Sequence, residues 1–273
     1  MIHKTDQWLK KYLKETEVQN ANTSQRFQLQ QNYLISPLQK YFNGVPLENI
    51  QLHLHQFGLF IPHKKENDKL KRWMKRDYKS KVQKLFEHFQ DKWDGPSTSI
   101  FLFPSNEENR ELSHVFSGNS GLSFPDKLFL FLSAEATTKQ LAALFLHEYS
   151  HVCRLDRKYS KNKELNLLDA MILEGIAEVL VRKKLGDEAG NKYLKNLDHA
   201  TFIKYWNRWI KGNEEVTRKD PLHDQIMFGS YRVPKNLGYL LGFYLVNHYI
   251  DNNTMSSKKM IYLDNEVFMD VFS

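Results

Sequence analysis

Leu144-Phe145-Leu146-His147-Glu148-Tyr149-Ser150-His151-Val152 is the stretch from which the rest of the chain can be read. On an α-helix, residues four apart stand one above the other. His147 and His151 therefore share a face, and their ring nitrogens can reach one metal ion together. Glu148, next to the first imidazole, projects toward a water on that ion and can take its proton, an arrangement suited to metal-assisted hydrolysis.

The surroundings of this stretch support a buried helix. Thr137 followed three residues later by Gln140 has the pattern of a capping box that opens the helix. Leu141, Ala142, Ala143, Leu144, Phe145, Leu146, Val152, Cys153 and Leu155 make the helix apolar almost all round. Two imidazoles and a carboxylate in such a helix are costly to bury without partners. A metal with its water satisfies all three, whereas a hydrogen-bonded core histidine explains the trio less well.

A zinc centre with an open position takes three protein ligands. Twenty-three positions after His151 comes Glu174, in Leu173-Glu174-Gly175-Ile176-Ala177-Glu178, within a segment from about 165 to 185 that reads as a helix ending at Gly186. Its flanks, Met171, Ile172, Leu173, Ile176, Ala177, Val179, Leu180 and Val181, are apolar, unlike those of an exposed acidic face. Glu174 is the candidate third ligand. Glu178, one turn on, is a candidate acceptor for the free ring N–H of a ligand histidine. Gly175 is expected to let this helix approach the histidine helix closely.

The histidine stretch, the Glu-Gly-Ile-Ala-Glu block and Pro234-Lys235-Asn236-Leu237-Gly238-Tyr239-Leu240-Leu241-Gly242 together resemble the bacterial YjaZ-like family of predicted zinc-dependent proteases, over roughly residues 98–250. The resemblance implies a gluzincin-type zincin fold in which His147, His151 and Glu174 hold Zn2+ and Glu148 is the general base. For the donor that meets the developing oxyanion, the C-terminal region offers Tyr231, Arg232, Tyr239 and His223. Tyr231 and Tyr239 are preferred because a phenol donates without a permanent charge. His223 and its neighbours Asp220, Pro221 and Asp224 read as an exposed loop. Gly238 and Gly242 signal close packing of a helix over about 235–250.

Elsewhere the pattern predicts an α+β chain, zincin-like and mostly helical, with a small mixed sheet packed on the active-site helix and a helical C-terminal subdomain. The expected division is an N-terminal helical segment at 1–45, a metal-binding lobe at 46–186, and a helical lobe at 187–273 that completes the cleft. Residues 5–43 read as two helices broken near 20–24, with Thr23 or Ser24 as the cap. Ile50, Leu52 and Leu54 alternate with Gln51, His53 and His55, as in a half-buried strand whose polar side holds the two histidines. A long basic helix over about 65–93 follows, stopping at Asp94-Gly95-Pro96. Ser99 to Phe103 is the next strand, expected to pair in parallel with 50–54, and Leu128 to Leu132 a further one. Asn119 to Phe124 is a candidate edge strand for binding a substrate backbone.

Composition narrows the classes. A content of 41% hydrophobic residues rules out a largely disordered chain. No apolar run approaches the ~18 residues of a membrane span, and the first residues lack the layout of a secretory signal. Cys153 is the single cysteine, so no intramolecular disulfide can form, and a cytoplasmic setting is expected. The net charge of +7 is carried by residues 1–95, and residues 64–84 alone hold ten basic and three acidic side chains. A basic stripe near Trp73 and Tyr78 is compatible with phosphate binding. The apolar positions 70, 73, 74, 82, 85, 89 and 93 instead make the lysines the solvated face of a packed helix, so a peptide or protein substrate is expected and a nucleic-acid partner is not. A second reading keeps the zincin scaffold as a peptide-binding or regulatory protein with little hydrolysis. The presence of Glu148 argues against it, since a centre that only binds has no use for a base.

Overall fold

The computed structural model describes residues 1–109, 117–158, 164–195 and 197–272. They form a mostly helical α+β protein with one small mixed sheet. By its contacts the chain divides into two compact units, Met1–His88 with Ser97–Phe145, and Phe89–Pro96 with Leu146–Ser273. This partition differs from the three segments expected and runs through the histidine helix itself. Among the described residues, no helix is long and apolar enough to cross a membrane.

In the first unit, α1 (Thr5–Val18) buries Leu9, Tyr12, Leu13 and Thr16, a stripe at helical spacing. Helix α2 (Thr23–Gln30) is capped by Asn22, one residue before the expected position: its side chain accepts from the Gln25 N–H while Gln25 reaches back. The expected strand at 50–54 is a helix, α3 (Leu47–Phe57). Its buried residues include Ile50 and Leu54, four apart, while Leu52 is 60% exposed. Three alternating apolar residues fit either period; the outward position of Leu52 decides for the helix. His53 and His55 are thus helical, and the His55 ring shares a hydrogen bond with Gln30 at 2.8 Å.

The single basic helix expected over 65–93 is two helices, α4 (Asn67–Met74) and α5 (Tyr78–Trp93). Asp77 restarts the chain by accepting a hydrogen bond from the Ser80 N–H at 3.3 Å, an N-cap inside an otherwise continuous helical pattern. Trp73 and Tyr78 are buried, so neither offers a stacking face to a nucleic acid. Several of the basic groups are already engaged: Lys71 pairs with Glu17 at 2.6 Å, Lys69 with Glu107 at 3.0 Å, and Arg76 donates to the Ala136 carbonyl at 2.8 Å.

Strands β1 (Ser99–Pro104), β2 (Ser120–Ser123) and β3 (Lys127–Leu132) form a sheet of order β1-β3-β2. The parallel partner of β1 is β3, with Ser99 opposite Lys127, because the segment expected to pair with it is helical. The run Ile100-Phe101-Leu102-Phe103 and its counterpart in β3 are buried throughout, as in strands covered on both faces. Phe101 and Phe129 stack at 4.9 Å across the pair. Strand β2 runs antiparallel to β3 at the sheet edge.

Helix α6 (Thr138–Lys158) begins at the capping box predicted for it: the Thr137 N–H donates to Gln140 at 2.9 Å, and the Gln140 N–H to Thr137 Oγ1 at 3.2 Å. The second unit is built around α7 (Leu167–Leu185), opened by an Asn166/Asp169 capping box and closed by Gly186 at φ 93°. Helices α8 (His199–Tyr205), α9 (Pro221–Phe228), α10 (Leu237–Asn252) and α11 (Ser257–Tyr262) follow.

Helices α7 and α10 meet backbone to backbone. A Cβ built on Gly175 would overlap the Gly242 carbonyl, and one on Gly242 would overlap the Met171 carbonyl. Gly175 therefore serves the α7–α10 contact and not, as expected from its place beside Glu174, an approach to the histidine helix. The clash is with backbone, which cannot rotate away. Gly242→Ala should accordingly cost about 3 kcal/mol, the upper end of the usual overpacking range. Urea unfolding checks this, and an unchanged midpoint would mean the two helices do not touch at that point.

Candidate metal centre

His147, Glu148 and His151 lie in α6 with 6%, 8% and 6% of their surface exposed. The two imidazole rings stand edge to face, 4.6 Å between centroids, as the four-residue spacing dictates. Glu174 comes in from α7. Its Oε2 is 3.1 Å from His147 Nε2 and 3.6 Å from His151 Nε2, and the three ligand atoms lie within 4.8 Å of one another.

Whether a metal suits these groups can be tested on the donors themselves. A tetrahedral ion with ligands about 2.0–2.1 Å away holds neighbouring ligand atoms about 3.4 Å apart, which the two observed separations bracket. Glu174 Oε2 is buried and accepts no well-aligned hydrogen bond, and His151 Nδ1 is buried without a hydrogen-bond partner among the described residues. Two neutral imidazoles and a carboxylate are a donor set for Zn2+. The residues fit the ion.

The electrostatics describe the same cluster without it. Burial works against a charge on His147. The adjoining Glu174 carboxylate, by contact and charge, with Glu148 and Glu178 behind it, overcomes that and raises the imidazole to about 9. Burial likewise opposes the charge on Glu174, but the two imidazoles hold its carboxyl well below the usual range.

Glu178 is buried, and its partners differ from the one expected. It accepts from Arg182 Nε at 2.6 Å and from the Asn191 N–H at 2.8 Å, and Gly190 leaves room for this, since a Cβ there would overlap the carboxylate. It reaches His147 through its charge alone. The pull of the nearby Arg182, four residues on along the same helix, accounts for the difference.

Of the two phenols, the structure brings Tyr239 to the cluster and leaves Tyr231 fully exposed in the bend before α10. Burial first, then the charges of Glu174 and Glu148, hold the Tyr239 hydroxyl well above 10, with Arg218 opposing. Tyr239 keeps its proton across the working pH range. Its position follows from the contact already described: Gly242, close to one turn further along α10, seats that helix on α7 next to Glu174.

Arg218 is a neighbour that no sequence pattern announces. It sits in a loop tied to the start of α7 by the Leu167 N–H to Val216 O bond at 2.8 Å and the Leu168 N–H to Glu214 O bond at 3.1 Å. Its place depends on that pairing of distant segments. His223 is the reverse case. Expected in an exposed loop, it is fully buried in α9, with Nδ1 2.8 Å from Asp224. Asp220 caps that helix and Pro221 opens it, residues that suit a helix start as well as they suit a loop. Cys153 is buried beside Tyr149 against Gly95, and burial pushes its thiol up to about 12, so it is no ligand.

The geometry brings together two histidines and one carboxylate that could hold a metal ion, with a further carboxylate beside them. The chain belongs to the family described as predicted Zn-dependent protease (DUF2268), whose model matches residues 78–270. Among individual proteins, it is similar to the uncharacterized protein YjaZ of Bacillus subtilis (strain 168), with 31% identity over 232 residues that cover 84% of this chain and 89% of that one. No solved structure matches it.

Proposed function

We propose that this protein is a zinc-dependent metallopeptidase of the gluzincin type on a zincin-like scaffold. His147, His151 and Glu174 hold Zn2+, Glu148 is the general base, and Tyr239 is the oxyanion donor. The observation that carries this reading is the convergence of three ligand atoms within 4.8 Å, on two buried helices, with Glu148 next to the first of them. The substrate is a peptide or protein. The buried, unbridged Cys153 fits a cytoplasmic setting.

A zinc ion bound there supplies Lewis acidity and lowers the pKa of a water to about 7. Glu148 takes the proton from the attacking water as its oxygen joins the carbonyl carbon of the scissile bond. The carbonyl oxygen gains negative charge, and the Tyr239 O–H donates a hydrogen bond to it. Glu148 then hands its proton to the amide nitrogen as the C–N bond breaks, leaving a carboxylic acid and an amine, and the acid's remaining proton passes to the amine to give carboxylate and ammonium. Glu178 adds negative charge behind His147 and makes that imidazole a stronger donor. The helical stretch 187–273 completes the centre by contributing Tyr239.

The test is hydrolysis of a mixed peptide library by zinc-loaded protein, with Tyr239→Phe as the first variant. Loss of one oxyanion donor costs about 10²–10³ in kcat, and KM should change little because the bond strengthens only in the transition state. Equal kcat values for the two proteins would remove Tyr239 from the mechanism. Absence of any zinc-dependent cleavage by the wild type would overturn the reading as a whole.

A further inference from the structure

Arg154 lies on α6 three residues after His151, and its side chain is completely buried. A buried guanidinium is costly unless its N–H groups are satisfied. Here Nη1 donates to the carbonyls of Ile261 and Leu263 at 2.5 and 2.9 Å, and Nη2 donates to Asn265 Oδ1 at 2.5 Å. The Asn265 amide does not end the chain of bonds. Its Nδ2 donates to Asp169 Oδ1 at 2.6 Å. Asp169 is itself buried and holds the start of α7: its other oxygen accepts from the Asn166 N–H at 3.2 Å, and its own N–H donates to Asn166 at 2.8 Å.

This run of bonds therefore joins the two helices that carry the ligands. It leaves α6 less than one turn past His151 and enters α7 five residues before Glu174. The buried positive charge on one helix meets the buried negative charge on the other through a single amide. Lys158, one turn further along α6, fastens the same segment by donating to the Leu263 carbonyl at 2.8 Å and pairing with Asp264 at 2.6 Å. A metal centre tolerates errors of only about 0.2 Å in ligand distance, so whatever sets the spacing of α6 and α7 also sets affinity.

We propose that Arg154, Asn265 and Asp169 form a positioning relay that sets the spacing of the two ligand-bearing helices, and through it the zinc affinity of the His147/His151/Glu174 centre. The proposal rests on the reading of that centre as a zinc site. None of the three residues touches the metal or the substrate. They act through the helices, and the polarity of the relay is specific: Arg154 needs an acceptor at position 265, and the acceptor at position 169 needs a donor there.

That polarity supplies the test. Asn265→Asp keeps the acceptor for Arg154 but sets a carboxylate against Asp169. The double variant Asn265→Asp/Asp169→Asn exchanges the two groups and restores both bonds. The amide then at position 169 donates to the carboxylate then at position 265, while its oxygen still accepts from the Asn166 N–H. Zinc affinity of the full chain is measured by competition with a chromophoric chelator, and ligand geometry by the visible absorption of the cobalt-substituted protein. The single variant should lose about 10–100-fold in zinc affinity, the range for outer-shell partners, and its cobalt spectrum should shift. The double variant should return to within about threefold of wild type, a small part of that range, and regain the spectrum, which a general loss of stability would not do. Wild-type affinity in the single variant, or no recovery in the double, overturns the relay. If the single variant does not fold, Asn265→Ala takes its place: the same loss is expected, and unchanged affinity overturns the relay. A wild type that binds no zinc is a separate failure, of the centre itself, and is read before any variant is made.

Discussion

Replacing Glu148 by glutamine should abolish peptide hydrolysis while leaving zinc bound. The substitution changes almost no volume at a site only 8% exposed, and it leaves the ligands at 147, 151 and 174 in place. What it removes is the group that, in the proposed mechanism, accepts a proton from the attacking water and returns one to the leaving amine. General acid–base catalysis contributes about 10²–10⁴. Because one residue serves both transfers in that mechanism, a fall in kcat of at least about 10³ is expected, with zinc still near one equivalent. Glu148 is one of several charges that support the proton on His147, behind the adjoining Glu174, so its loss should alter zinc affinity far less than turnover. Zinc content and single-turnover hydrolysis, measured on the same preparation, separate the two effects. Unchanged turnover would sink the proposed mechanism. The alternative, a scaffold that binds peptide without cutting it, is favoured instead if neither the wild type nor the variant cleaves peptide while both still bind it.

The ligand variants should show the opposite pattern: His151→Ala and Glu174→Ala should lose the metal itself. Outer-shell partners of a metal typically contribute about 10–100-fold in affinity, so removal of a direct ligand should exceed about a hundredfold. Both variants should emerge from purification with little zinc beside a wild type that carries it. Glu174→Ala has a second consequence in the metal-free protein. The Glu174 carboxylate is the group that overcomes burial and holds the His147 imidazole at about 9. Without it burial prevails, and the imidazole should titrate well below its wild-type position when followed by NMR. A Glu174→Ala protein with full zinc content would remove Glu174 from the centre, and no zinc in all three proteins would remove the centre.

Much of the site is legible from local chemistry. The face shared by His147 and His151 follows from helix geometry alone, and the Thr137/Gln140 capping box that starts their helix is made by residues three apart. Glu174 stands out because its neighbours are apolar on both sides, a poor setting for a solvated glutamate. The elements that depart from expectation also share a cause. Ile50, Leu52 and Leu54 alternate over too short a span to distinguish a strand from a helix, and only the exposure of Leu52 separates them. The helix expected over 65–93 breaks at Asp77. An N-cap aspartate within a periodic run resembles any other polar residue until its side chain is seen to bond Ser80.

Other features depend on which distant segment arrives where. Glu178 lies on a helix whose fourth following residue is Arg182, and that cation together with Asn191 takes the carboxylate away from the imidazole it was expected to serve. Gly175 meets Gly242 instead of the histidine helix. Tyr239 and Tyr231 are equivalent phenols as residue types, and only the seating of α10 on α7 makes one a neighbour of Glu174 and leaves the other in solvent. Arg154 reads as an ordinary basic residue near a helix end. Its complete burial and its relay to Asp169 exist only because residues 261–265 fold back onto the two helices. By itself, then, the order of residues determined the histidine pair, its neighbouring carboxylate and the helices that bear them, because helix periodicity and capping act within a few residues. The tertiary structure decided which groups face that pair and what holds them there. Partners far along the chain are chosen by packing, burial and charge, none of which is written in local spacing.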